Sequence, residues 1–236
     1  MTTPILDRGY ARPELLADTG WLQERLGDGN LCIVDARSQE DYGKDHIPGA
    51  VSLPGFTLGG IRSGPEMPES DAFAILAGSL GVDNDTTVVV YDDTGPMAGM
   101  TVWAFLYYGQ SHTRLLDGGL PKWKAEGNPV TTEVSSREPR SFTPEVMDGL
   151  YCGLDQAKTS LGQSGVVFWD TRSLDEYTGA SAPFNAPPRL GHLPGAVHLE
   201  WSGLFEQDPH TLKPAAELKA LLTSKGITPE SAVTTY

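Results

Sequence analysis

Val166 to Val197, VVFWDTRSLDEYTGASAPFNAPPRLGHLPGAV, repeats in longer form an earlier stretch, Cys32 to Val51, CIVDARSQEDYGKDHIPGAV. In both, an apolar β-rich run ends in Asp-x-Arg, an acidic turn ends in Tyr, and His-[Ile/Leu]-Pro-Gly-Ala-Val leads into the next strand. Asp35 to Asp170 and Tyr42 to Tyr177 are offset by 135, whereas His46 to His192 and Gly49 to Gly195 are offset by 146, so the second copy carries 11 extra residues between its Tyr and its His. A third match, Gly81–Tyr91 with Gly226–Tyr236 at an offset of 145, identifies a duplication.

The 236 residues, 39% hydrophobic and 20% charged, suffice for two modest domains. No apolar run reaches the length of a membrane span, and MTTPILDRGYARPELL has no basic start followed by an apolar core, so neither a membrane segment nor a secretory signal is expected. A formal charge of −14 disfavours a nucleic-acid partner, although backbone N–H groups at a helix start still suit a small anion. Two cysteines, Cys32 and Cys152, fall in different repeats and suggest no disulfide framework, and no run of ligands has metal spacing. A cytoplasmic protein is the expectation.

Residues 1–14 read as an irregular lead-in, with a short strand at Glu14–Ala17 and a helix capped by Asp18 or Thr19. Buried strands are expected at Leu31–Val34, Gly49–Leu53, Val88–Tyr91 and Thr113–Leu116, and helices at Gln39–Tyr42, Asp71–Leu80, Ala98–Tyr108 and Leu120–Glu126. Pro54–Ser70, rich in Gly and Pro, reads as loop. Alternation of strand and helix predicts an α/β fold, a parallel sheet flanked by helices, for a first domain over 10–127. Gly127–Gly149 contains three prolines and reads as an extended linker, 128–150. The second domain, 151–236, repeats the pattern with a helix to about Leu161, a strand Val166–Trp169, a helix Ala215–Lys225 and a strand Ala232–Tyr236.

Several chemistry-bearing residues occur in both repeats. That equality favours a structural reading for His46 and His192, as anchors of the turn before Pro48 and Pro194, and for Asp35–Arg37 and Asp170–Arg172, as buried pairs at strand ends. Cys32, inside a strand, reads as a small hydrophobe; Cys152 reads as structural or incidental, and Trp169 and Trp201 as core or interface.

The tandem signatures, with Leu116-Asp-Gly-Gly-Leu-Pro-Lys-Trp123 closing the first, resemble the two-domain rhodaneses, the thiosulfate and mercaptopyruvate sulfurtransferases. The resemblance implies two tandem domains, each a five-stranded parallel sheet flanked by helices, the first catalytically silent and the second of catalytic type. It places a nucleophilic Cys directly after Tyr236, where the thiolate would take sulfur from thiosulfate as a persulfide and pass it to cyanide or a thiol. In the first domain that position is Asp92, in the silent loop Asp92-Asp93-Thr94-Gly95. Arg189, in the insertion, and Arg172 are implied to hold the anionic donor, with Asp170 and His192 supporting the site. One departure is Glu176, which stands before Tyr177 where mammalian-type members have Arg. Neither cofactor nor metal is implied, and a monomer or weak dimer is expected.

As given, the chain would lack the nucleophile and be inactive. Because the second sheet would lack a covered face, the natural protein is expected to be longer by roughly the 39 residues of Asp92–Val130 plus a tail. Alternatives are 3-mercaptopyruvate as donor, a non-catalytic binding or regulatory module, and a phosphatase-like use of the loop.

Overall fold

Short, uninterrupted apolar runs make the first sheet: β1 (Leu16–Ala17), β2 (Leu31–Asp35), β3 (Ala50–Ser52), β4 (Thr87–Tyr91) and β5 (Thr113–Leu116), in the order β1-β5-β4-β2-β3 with every pairing parallel. The computed structural model describes residues 3–55, 58, 67–181, 189–208 and 210–236. These fall into two units, Met1–Tyr151 with Gln207–Thr211, and Cys152–Glu206 with Leu212–Tyr236. Most of the predicted insertion and of the Pro54–Ser70 loop lies outside the described residues.

Alternation along β2 and β4 sends side chains to two cores. Cys32, Val34, Val88 and Val90 pack against α3 (Ser70–Ser79) and α4 (Pro96–Tyr107), around Phe73, Phe105 and Tyr108. Leu31, Ile33, Val89 and Tyr91 face Leu22 of α1 (Thr19–Gln23), Tyr42 of α2 (Gln39–Lys44), and Leu120 and Trp123 of α5 (Gly119–Ala125). With helices on both faces a parallel strand needs no polar side, which is why all five β2 residues are buried. Asp18 caps α1 by accepting from Trp21 N at 2.7 Å.

Two segments are tied down more firmly than their sequence suggests. Residues 3–10 are no mere lead-in: the buried Arg8 guanidinium donates to Asp117 Oδ2 at 2.6 Å. The stretch after Gly127 is extended but docked along the first unit. Thr131 bridges to His46, Arg140 N donates to Gly78 O at 2.9 Å, and Phe142 enters the core beside Phe73.

The second unit's described residues contain a three-stranded parallel sheet, in the order β7-β6-β8, of β6 (Val166–Asp170), β7 (Val197–His198) and β8 (Ala232–Thr235). With them run α6 (Leu154–Ser160), α7 (Leu174–Thr178) and α8 (Ala215–Ser224). Its register copies the first sheet: Val34↔Val51 becomes Trp169↔Val197, and Leu31↔Thr87 becomes Val166↔Ala232. The sequence offsets of 135, 146 and 145 are therefore the Cα pairing written out along the chain.

Candidate functional site

At the end of β4 the chain turns into α4 around one side chain. Asp92 Oδ1 accepts from the N–H groups of Thr94, at 3.0 Å, and Gly95; Oδ2 accepts from Met97 N at 2.9 Å and Ala98 N at 3.0 Å. Four backbone donors at the start of a 12-residue helix converge on a group that is 4% exposed. Both the orphan donors of the first turn and the helix dipole favour a negative charge there. Gly119, at φ +55°, closes the far side, where a Cβ would stand 2.3 Å from Asp92 O. The loop Asp92–Gly95 is thus an anion cradle filled by its own carboxylate.

Beside the cradle the signature holds an arginine. Asp35, at the end of β2, accepts from Arg37 Nε at 3.0 Å and Nη2 at 2.7 Å, and from Tyr91 Oη at 2.7 Å. Tyr91 Oη accepts in turn from Ile47 N at 3.1 Å. In the second unit Asp170 accepts from Arg172 Nε at 2.9 Å and Nη2 at 2.5 Å, and Leu193 N donates to Tyr236 Oη at 3.0 Å. The tyrosine and histidine recur as well. Tyr42 Oη donates to Ala50 O and stacks on His46 at 3.8 Å; Tyr177 Oη donates to Ala196 O and stacks on His192 at 3.8 Å. His192 Nδ1 lies 2.7 Å from Tyr177 O, as His46 Nδ1 lies 2.8 Å from Tyr42 O, so both rings pin the turn that precedes the proline.

The units differ in charge at this arginine. Arg37 is 7% exposed and faces two further carboxylates, Asp45 at 3.5 Å and Asp93 at 3.6 Å. Burial pushes the Asp93 carboxyl up, against the pull of Arg37. In the second unit Gly191 takes the place of Asp45 at the 146 offset and offers only its carbonyl, to Arg172 Nη2 at 2.9 Å. Arg172 is 27% exposed, with its guanidinium 5.4 Å from the Tyr236 ring centre. Among the described residues Arg172 is ion-paired with Asp170 alone, with Glu176 acting on it at longer range, and it is more open to water than Arg37.

Of the residues the sequence singled out, Asp170 and Arg172 are paired at the carboxyl end of β6, and His192, stacked on Tyr177, follows the Gly191 whose carbonyl Arg172 contacts. Arg189 is exposed, two positions before Gly191. The ends of the insertion nearly touch, since a Cβ on Gly179 would stand 3.1 Å from Gly191 N. Cys32 is fully buried in β2, and burial pushes its thiol up to about 11. Cys152 is partly buried ahead of α6. Among the described residues no three His, Cys, Asp or Glu side chains are grouped to hold a metal, and no helix is long and apolar enough to cross a membrane.

The electrostatics give one direct expectation. Burial raises the Asp170 carboxyl, but hydrogen bonds from Arg172 and Tyr236 outweigh it and hold the group below its ordinary range. A folded carboxyl more acidic than the unfolded one stabilises fully above about pH 4 and loses that contribution as pH falls through the folded value. Protection factors of β6 amides, corrected for intrinsic exchange, should therefore fall on acidification below about pH 4, and Asp170→Asn should flatten the dependence; the same acid profile in both proteins would refute this.

Residues 18–126 match the family described as the Rhodanese-like domain. The chain is 34% identical to the sulfur carrier protein TtuD of Thermus thermophilus, over 97% of this chain and 84% of that protein. It is 32% identical to the thiosulfate sulfurtransferase of Pseudomonas aeruginosa, over 94% and 82% of the two. In fold it is similar to a 3-mercaptopyruvate sulfotransferase of Escherichia coli, with a TM-score of 0.81 at 23% identity over 94% of this chain and 87% of that one. It also resembles an anaerobic ergothioneine biosynthesis enzyme of Chlorobium limicola, with a TM-score of 0.80 at 19% identity, and spans 61% of that chain's length.

Proposed function

The chain belongs to the rhodanese family, and on that footing we propose that it is a sulfurtransferase carrying sulfane sulfur from thiosulfate to cyanide or a thiol through a persulfide on a cysteine directly after Tyr236. The thiolate attacks the sulfane sulfur, the S–S bond of thiosulfate breaks and sulfite leaves with the electron pair. The acceptor then attacks the outer sulfur and restores the thiolate.

The observation that carries the reading is the shared register. β8 pairs with β6 as β4 pairs with β2, so the residue after Tyr236 corresponds to Asp92, which is surrounded by four backbone donors. A thiol in such a cradle is acidified and its persulfide anion stabilised. Arg172, relieved of a second carboxylate, and the exposed Arg189 supply the positive charge for the donor, while Asp170 and His192 hold the turn. In the first unit the carboxylate of Asp92 already fills the cradle, which supports a silent role. Neither Cys32, buried with a raised thiol, nor Cys152, ahead of α6, has such a setting. The names of the relatives support transferase chemistry.

The test is the intact mass of the gene product before and after incubation with thiosulfate. A gain of one sulfur atom, reversed by cyanide and mapped next to Tyr236, is the expected result. No adduct with either thiosulfate or 3-mercaptopyruvate, or sulfur on Cys32 or Cys152, would overturn the reading. An adduct with 3-mercaptopyruvate alone would keep the persulfide and change the donor.

A further inference from the structure

Because the signature's hydrogen bonds recur in both units, positions where the units differ isolate what the second one adds. The largest such change facing the Asp-x-Arg turn is at the end of β7. Asp35 pairs in register with Ser52, and Asp170 with His198. Ser52 turns to Gln39, donating from Oγ to Oε1 at 2.9 Å. His198 turns to the arginine, its Nε2 lying 2.9 Å from Arg172 O. A carbonyl only accepts, so the contact requires the hydrogen on Nε2. The His198 ring also stacks on Tyr177, with centroids 4.7 Å apart and planes at 29°, so Tyr177 contacts two imidazoles, His192 and His198.

Arg172 needs this support more than Arg37 does. Arg37 is enclosed and held by three carboxylates, whereas Arg172 is partly exposed and has Asp170 and the Gly191 carbonyl. A guanidinium meant to receive a second anion keeps its free edge open, so it must be fixed from its backbone side.

We propose that His198 is a positioning residue for a small sulfur oxyanion at Arg172: its Nε2–H holds the Arg172 carbonyl and its ring is braced on Tyr177, fixing the guanidinium that receives the donor. This rests on the reading of the second unit as the donor-binding unit, and it assigns His198 no contact with the reacting sulfur.

The test pairs His198→Ser, the first unit's residue at that register, with His198→Gln, which keeps an N–H donor. Sulfate is titrated into the gene product and followed at the Arg172 Nε–H resonance, and thiosulfate turnover is measured on the same protein. Wild type should bind sulfate saturably, and His198→Ser should weaken binding and raise KM about fivefold, the usual worth of one oriented hydrogen bond, with kcat within about twofold. His198→Gln should recover most of both. Sulfate binding that is absent in wild type or unchanged in His198→Ser would overturn the proposal. So would a fall in kcat and thermal stability together with KM that Gln fails to rescue, because that is the signature of a structural role alone. If sulfate binding depends on His198 but the gene product forms no persulfide, the sulfurtransferase reading falls and this inference stands.

Discussion

Asp92→Ala is expected to destabilise the first unit by about 3–5 kcal/mol, measured by chemical denaturation. The substitution removes both oxygens that receive the N–H groups of Thr94, Gly95, Met97 and Ala98, in a loop whose central residue is almost inaccessible to water. Buried donors without an acceptor cost more than the bonds contributed, and the start of α4 loses the charge opposite its dipole as well. Hydrogen exchange should locate the loss at residues 92–100. Asp92→Asn keeps one acceptor oxygen but sets an NH2 group against two donors, so it should lie between wild type and Ala. Asp92→Cys tests the same cradle chemically: its thiol should alkylate with a midpoint below the ordinary value of about 8.5. A loss under about 1 kcal/mol for Ala would mean that the loop re-forms around water and that the converging donors are not what holds it.

The second large effect is an asymmetry between the repeats. Asp35→Ala should cost about 3–5 kcal/mol, because the enclosed Arg37 loses its bidentate partner and Tyr91 loses the acceptor for its hydroxyl. Asp170→Ala should cost about 1–2 kcal/mol, because Arg172 is open enough to recover solvation. The same substitution in the same motif thus separates by at least about twofold, a gap set mainly by how far the partner arginine is enclosed. Exchange rates of β4 and β6 amides in the two variants would show it. Equal losses would indicate that Arg172 is as enclosed as Arg37, and would remove the argument for a water-accessible arginine in the second unit.

Much of this was legible in the sequence because a duplication carries its own control. An offset of 135 through Asp-x-Arg and Tyr and of 146 through His-x-Pro-Gly-Ala follows if the strands beside these motifs pair alike in both units, and they do. Equal occurrence in both repeats pointed to structural work for the His and Asp–Arg residues, and the stacked rings and bidentate pairs perform it. What escaped notice depends on partners remote in the chain. The N-terminal segment looks irregular because its anchor, Asp117, lies 109 positions away from Arg8. Residues after Gly127 read as an extended linker with no core of its own because nothing local announces that Phe142 packs beside Phe73. The change from Asp45 to Gly191 and from Ser52 to His198 was present in the aligned repeats. Its meaning required knowing that both positions face the arginine.

The near contact of Gly179 with Gly191 bears on how this protein can vary. Both ends of the 11-residue excursion are fastened by Tyr177 and His192 to the sheet's edge, so the segment between them begins and ends at almost one point. Once the ends are joined, doubling such a loop costs only about 0.6 kcal/mol. Lengthening or rewriting it leaves the register of β6, β7 and β8 untouched. The second unit therefore holds a position where evolution, or an engineer grafting a peptide, can insert or replace sequence at almost no cost to the framework.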